Sequence, residues 1–234
     1  MIYQNVVPGI FISRPNRFIA HVEIDGKEET VHVKNTGRCK ELLIPGATVY
    51  LEDFKGRMGS RKLRYSLIAV EKFCGNSNKT KLINMDSQAP NAVIKEEFQK
   101  SDINFKPECT YGNSRFDFYF EKTDDVGNTT KGFLEVKGCT LENDGYCRFP
   151  DAPTERGVKH LEELIDAKEK GYWAGVLFLI QMEQAKDFAP NDETHKAFGD
   201  ALRLAASKGV EVLCYNCNVT PDSLSIKDKV KVIL

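Results

Sequence analysis

The chain has no long hydrophobic run. Its longest apolar stretch, Trp173 to Ile180, is far shorter than the roughly 20 residues that cross a bilayer, so no membrane partner is expected. No basic segment followed by an apolar one stands at the start, as a secretory leader would require, and a cytoplasmic location is expected. The seven cysteines are odd in number and irregularly spaced, which argues against a disulfide framework and for reduced thiols. Cys214-Tyr215-Asn216-Cys217 is a lone CxxC with no second pair at zinc-finger spacing, so structural thiols are expected there. A glycine-rich loop that would cradle a nucleotide phosphate is also missing. The chain has almost no net charge either, with a formal value of −1.

That near-zero balance hides an asymmetry. Met1 to Leu82 holds 14 Lys and Arg against 8 Asp and Glu, or +6, and the rest holds 19 against 26, or −7. The basic half is the expected nucleic-acid surface, and the acidic half would need metal ions to approach a polyanion. The 234 residues suffice for one large or two small cores, and 41% hydrophobic with 29% charged content is ordinary for a globular protein. Gly9 to Ser13, Phe18 to Ile24, Thr30 to Lys34, Ala47 to Glu52 and Leu63 to Glu71 read as short strands. Turn formers such as Asp25-Gly26 and Pro45-Gly46 separate them, which suits a small barrel. Arg14, Arg17, Arg38, Arg57, Arg61, Lys62 and Arg64 fall near strand ends and loops, with Phe18, Tyr50, Phe54 and Tyr65 interleaved. A basic groove with stacking aromatics is how such barrels hold single strands. The competing reading makes these aromatics barrel core and the arginines solvated. The pattern changes around Asn84 to Asn91, where Pro90-Asn91 opens an amphipathic helix running to about Lys100. The expected parts are therefore residues 1–83 and 84–234.

In the second part, Asp117 interrupts the apolar run Ser114-Arg115-Phe116-Asp117-Phe118-Tyr119-Phe120, and Gly132-Phe133-Leu134-Glu135-Val136-Lys137 carries two charges separated by one residue. Both runs read as strands. Alternation along a strand puts Glu135 and Lys137 on one face. The spacer from Glu121 to Lys131 holds Asp124, Asp125, Gly127 and Asn128, so the strands should form a hairpin with Asp117 beside Glu135. Charges inside apolar strands are costly unless paired or metal-bound. Two carboxylates can hold a hard cation such as Mg2+ or Mn2+, and a nearby ammonium can orient water or offset charge on a phosphate. A plain salt bridge between Glu135 and Lys137 is the bland alternative. The later order is helix (Thr154 to Lys170), strand (Trp173 to Ile180), helix (Thr194 to Ser207) and strand (Val210 to Tyr215), which fits an α/β/α sandwich. Val158, Leu161, Leu164 and Ile165 form the apolar stripe of the first helix, so Arg156 and His160 are expected to point away from it, toward solvent or a ligand. Gln181, at the end of the strand, is expected to point into the site.

The acid, acid-x-lysine order resembles the PD-(D/E)XK nuclease signature. The literal Pro150-Asp151 is a decoy, because it follows the Glu-x-Lys strand. Beyond that, Arg14-Pro15-Asn16-Arg17-Phe18, Asn35-Thr36-Gly37-Arg38, Pro45-Gly46, Ser114-Arg115-Phe116-Asp117-Phe118, Glu135-Val136-Lys137 and Phe149-Pro150-Asp151-Ala152-Pro153-Thr154-Glu155-Arg156-Gly157-Val158-Lys159-His160-Leu161 resemble the sugar fermentation stimulation protein A (SfsA) family. The resemblance runs nearly end to end. It implies an α/β (α+β) protein, with an OB-fold-like N-terminal β-barrel followed by a PD-(D/E)XK nuclease-like α/β/α domain, and an association with DNA, single-stranded or double-stranded, or with RNA. Asp117 and Glu135 would be the metal ligands and Lys137 the catalytic ammonium. Glu96 and Glu97 lie on the helix upstream of the Asp117 strand, where such enzymes supply a further catalytic acid, and the family's Asn-x-x-x-Lys-Glu spacing favours Glu96; a plain exposed helix acid is the alternative for either. Arg14, Arg17, Phe18, Arg38, Arg61, Lys62, Arg156 and His160 would contact nucleic acid. A non-catalytic DNA-binding regulator of sugar-metabolism genes, keeping the nuclease fold, is the competing class. No motif supports a sugar-metabolism enzyme.

Overall fold

β1 (Val6–Asn16), β2 (Ile19–Ile24), β3 (Lys27–Val33), β4 (Thr48–Asp53), β5 (Tyr65–Cys74) and β6 (Lys79–Asn84) form one sheet in the computed structural model, in the order β3-β2-β1-β4-β5-β6. The structure describes all residues except 36, 75–78 and 102, so Thr36 of the Asn35 to Arg38 motif lies outside the described residues. Period-two burial builds these strands: Ala20, Val22 and Ile24 point inward from β2 and their neighbours do not. The two-residue turn at Asp25 and Gly26, with φ of 50° and 73°, has the mirror-image geometry that suits the right-handed twist of β2 and β3. β3 also pairs in parallel with β5, through His32↔Ser66 and Val33↔Leu67, and this closes the first five strands into a ring. The OB-like expectation holds.

After α1 (Ala89–Gln99) come β7 (Asn104–Tyr111), β8 (Ser114–Thr123), β9 (Thr129–Cys139), β10 (Glu142–Asn143), β11 (Tyr146–Phe149), α2 (Glu155–Glu169), β12 (Trp173–Ile180), β13 (Asp187–Pro190), α3 (Asp192–Ser207), β14 (Glu211–Thr220), β15 (Ser223–Lys229) and β16 (Lys231–Val232). The larger sheet has the order β15-β14-β12-β9-β8-β7. Its centre, β9-β12-β14, is parallel, and its flanks are antiparallel hairpins. Helices cover both faces. Val93 and Ile94 of α1 pack on Phe118, Leu134 and Val136, and Leu161 and Leu164 of α2 join Phe198 and Leu202 of α3 on Phe133 and Phe178. Thr154 caps α2 by accepting from the Gly157 N–H at 3.1 Å. Gly171, at φ 92°, follows the end of the helix in the left-handed conformation glycine tolerates. A small sheet, β10-β11-β13-β16, was not expected from the sequence.

The barrel and the larger sheet share one hydrophobic core, which runs from Val22, Val33 and Leu51 to Val176, Phe178 and Ile180. Polar groups fix the seam between them. Lys34, just after β3, reaches Asp86 at 2.7 Å, Ser87 donates to the Lys34 carbonyl, and Gln181 at the end of β12 donates to Asn84 at 2.8 Å and to the Asp86 carbonyl at 3.0 Å. Asp86 then accepts from the Gln88 N–H at the entry to α1. The seam thus sets where α1 begins, and α1 carries the first residue that touches Asp117.

Candidate metal centre

β8 and β9 form the expected hairpin, paired from Phe118↔Leu134 out to Thr123↔Thr129, with its turn held by Asp124 and Asn128. Asp117 sits where that ladder stops. Its Oδ2 accepts the Val136 N–H at 2.8 Å, so the side chain takes a backbone donor at the point where the two strands part. Face alternation breaks here too: Phe116 lies edge-on to His160 of α2, whereas Phe118 lies edge-on to Phe98 of α1. On β7, across from this break, Glu108 has φ 53°. The local bend turns Asp117 toward α1, where Asn91 donates to its Oδ1 at 2.7 Å.

Glu135 and Lys137 share one face of β9, as alternation requires, and that face looks at α2. The Lys137 ammonium and the His160 Nδ1, at 2.5 Å, both bind Glu135 Oε1. The other oxygen, Oε2, is buried without a partner among the described residues, in a residue only 3% exposed. A buried carboxylate oxygen with no donor is expensive. The two acids also titrate apart. Burial, then the nearby charge of Glu135, raises the Asp117 carboxyl above its ordinary range. Burial alone would raise Glu135 as well, but the His160 N–H and the Lys137 ammonium outweigh it and hold that carboxyl below its ordinary value. The charge of Glu135 is thus one of the causes that raise Asp117.

Three placements differ from the sequence expectation. Glu96 does not join the cluster: its carboxylate pairs with the Met1 amino group at 2.8 Å and is 44% exposed. Five residues separate it from Asn91, about 140° around a helix, so once Asn91 faces Asp117 the acid is carried to another side. His160 is not turned outward. The buried stripe of α2 is Gly157, His160, Leu161, Leu164 and Ala167, rotated from the expected one, and His160 is 3% exposed with both ring nitrogens engaged. It therefore has no nitrogen left for a phosphate. Gln181, expected to point into the site, is spent on the seam, although its Oε1 lies so near Gly138 that a Cβ there would meet it at 2.4 Å. Asn91 opens the same Asn-x-x-x-Lys-Glu pattern that points to Glu96, and it is Asn91 that reaches Asp117; the pattern is the signal, and its acid is the wrong member to take.

Among the residues expected to bind nucleic acid, Arg14 has a different occupation. Its guanidinium donates to the carbonyls of Arg17, Asn35, Gly37 and Arg38 and so staples two loops together. Arg61 donates to Ser66 and stacks on Phe54, 3.7 Å from the ring centroid. Arg17, Arg38 and Lys62 are exposed, and Phe18, under the Arg17 guanidinium, is 46% exposed. Arg17, Arg38 and Lys40 line a groove of about 600 Å³ beside β1. On the other part, Arg156 is exposed and, with Arg115 and Lys159, lines a groove of about 460 Å³ that reaches His160. Cys39, Cys109, Cys139, Cys147, Cys214 and Cys217 are free thiols; Cys214 and Cys217 are buried, burial raises both, and Cys217 is pushed up to about 12. Structural thiols are what the structure shows there. Among the described residues no helix is long and apolar enough to cross a membrane, and no three or more His, Cys, Asp and Glu side chains form a ready metal cage.

A ring of five strands joined to an α/β/α sandwich with acids at its splayed hairpin defines the class, and comparison with known proteins places the chain within it. Residues 12–77 match the SfsA N-terminal OB domain and residues 87–223 match the sugar fermentation stimulation protein RE domain. The chain belongs to the sugar fermentation stimulation protein family. It is 54% identical to the sugar fermentation stimulation protein homolog of Clostridium beijerinckii, covering 100% of both chains, and 54% identical to that of Desulfitobacterium hafniense, covering 100% of this chain and 99% of the relative. The solved structure of Pyrococcus furiosus SfsA in complex with Ca2+ superposes with a TM-score of 0.83 at 26% identity, over 100% of this chain and 98% of that one.

Proposed function

We propose that the protein binds nucleic acid and hydrolyses phosphodiester bonds with a divalent cation, Mg2+ or Mn2+, held by Asp117 and Glu135. The observation that carries this reading is Glu135 Oε2, a buried carboxylate oxygen left without a donor beside a second acid and an ammonium. Oxygen donors suit a hard cation, which commonly takes one or two carboxylates and fills its remaining positions with water and substrate phosphate. The Ca2+ bound by the Pyrococcus furiosus relative accords with this choice. Once bound, the ion would supply Lewis-acid polarisation of the phosphate and a more acidic water.

This chain's own residues would do the rest. Asn91 and the Val136 N–H fix Asp117. Lys137 lies on the Glu135 face, where its ammonium would orient water or offset charge on the phosphate. Arg156 would take a neighbouring phosphate from the groove it lines, and Arg17, Phe18, Arg38 and Lys62 would grip the strand on the barrel side. The competing reading, a DNA-binding regulator with a nuclease fold, draws on the lack of a third side-chain donor among the described residues. Labelled single- and double-stranded DNA and RNA, incubated with Mg2+, Mn2+ or chelator, separate the two. Cleavage that requires metal and disappears in Asp117→Ala and Glu135→Ala, while metal-free binding persists, is the expected result. Binding without cleavage under either metal would establish the regulator.

A further inference from the structure

Arg156 and His160 stand one helical turn apart on α2 and make a chain that ends on Glu135. Arg156 Nε lies 3.2 Å from His160 Nε2, and His160 Nδ1 lies 2.5 Å from Glu135 Oε1. A guanidinium N–H can only donate, so Nε2 must accept, and the ring proton must then reside on Nδ1 and be donated to the carboxylate. No other assignment makes both contacts donor–acceptor pairs. The imidazole is buried edge-on to Phe116 and cannot rotate without losing both partners. With Lys137 on the same oxygen, the donors that the described residues supply are gathered on Oε1, and Oε2 has none among them.

We propose that Arg156 and His160 are positioning residues for the cation site. The guanidinium selects the imidazole tautomer, the imidazole N–H pins Glu135 Oε1, and Oε2 is thereby presented to a divalent cation. This rests on the metal reading above and adds to it the means by which the carboxylate is oriented. It also joins the basic groove to the acid, because the outer face of Arg156, with Arg115 and Lys159, lines that groove. Partners that orient a metal ligand through a hydrogen bond typically change affinity by about 10–100-fold when removed.

Direct Mn2+ binding to the whole chain, followed by the loss of the free-ion paramagnetic resonance signal, tests this without relying on turnover. The δ-amide of asparagine falls where Nδ1 does, whereas the ε-amide of glutamine falls where Nε2 does. His160→Asn should therefore hold Mn2+ affinity within about threefold of the unaltered protein, and His160→Gln should weaken it by about tenfold or more. Arg156→Ala, an exposed position that leaves the core intact, should weaken binding in the presence of His160. It should have little effect when combined with His160→Asn, because an amide needs no tautomer selected. Equal weakening by His160→Asn and His160→Gln, with Glu135→Ala still abolishing binding, would overturn the relay and leave the metal site standing. Mn2+ binding that is undiminished in Glu135→Ala would overturn the metal reading, and the relay with it.

Discussion

At the level of single residues, the metal role proposed for Asp117 sets function against stability. Burial and the nearby Glu135 charge raise the Asp117 carboxyl, so its ionisation is less favourable in the folded state than in the unfolded chain. Below the unfolded-state value both states are protonated and nothing is lost, and as pH rises through the carboxylate range the ionised group destabilises the fold. Asp117→Asn removes that charge while its carbonyl still accepts from Val136 N–H, and Asn91 can turn its own oxygen inward. Without metal at pH 7 the variant should be more stable by about 1 kcal/mol, a rise of roughly 2–4 °C in melting temperature. The gain should vanish near pH 3.5 and should be accompanied by loss of cation binding. Thermal melts in chelator across that range decide it, and a variant that melts lower at pH 7 would show that the Asp117 charge is satisfied by the protein alone.

Among the structural elements, the smallest sheet is tied to the first sheet through a buried charge. Glu142 of β10 is 4% exposed and accepts Lys72 and Lys81, each at 2.8 Å, as well as the Gly145 N–H. These bonds tie the β5–β6 hairpin to β10. Burial works against ionisation here, yet the two lysines and the amide outweigh it and bring the carboxyl down to about 2. A lowered folded value means stability that is present above the ordinary glutamate range and lost as pH falls toward 2. Glu142→Gln leaves two ammonium groups facing a neutral amide and should cost about 3 kcal/mol in denaturant unfolding at pH 7, with most of the difference gone by pH 2.5. A cost below about 0.5 kcal/mol would mean that the lysines find water instead. None of this was legible beforehand, because strands of two to four residues such as β10, β11 and β16 leave no periodic trace. β8, β9 and α2 were legible because their apolar periodicity extends over two or more turns or pleats. The facing of Asn91, Glu96 and His160 was not, since it depends on how α1 and α2 dock, and docking is set by the seam and by the bend at Asp117.

For the molecule as a whole, the question is which part of the +6 charge of the first 82 residues is available to a polyanion. Sequence counting treats every arginine alike, whereas the structure divides them. Arg14 spends its guanidinium on four backbone carbonyls, and Arg17 and Arg38 remain exposed beside the groove. Each phosphate contact contributes roughly 0.7 to the logarithmic salt slope on single strands and roughly 0.9 on duplex. Arg17→Ala combined with Arg38→Ala should therefore flatten the slope by about 1.5 and weaken binding across sequences while leaving the melting temperature unmoved. Arg14→Ala should do the reverse. Loss of a charged staple costs about 2 kcal/mol of stability, and the slope should stay within error, because no phosphate contact is removed. Fluorescence anisotropy of a labelled oligonucleotide between 50 and 200 mM salt (roughly the span over which such contacts are felt), paired with melting curves of the same three proteins, reads both quantities. If Arg14→Ala flattens the slope as far as the double variant does, its guanidinium leaves the carbonyls when DNA arrives, and the loops from Arg14 to Arg38 rearrange on binding. If neither flattens it, the strand lies instead along Arg115, Arg156 and Lys159, and the grip belongs to the same part of the molecule as the acids.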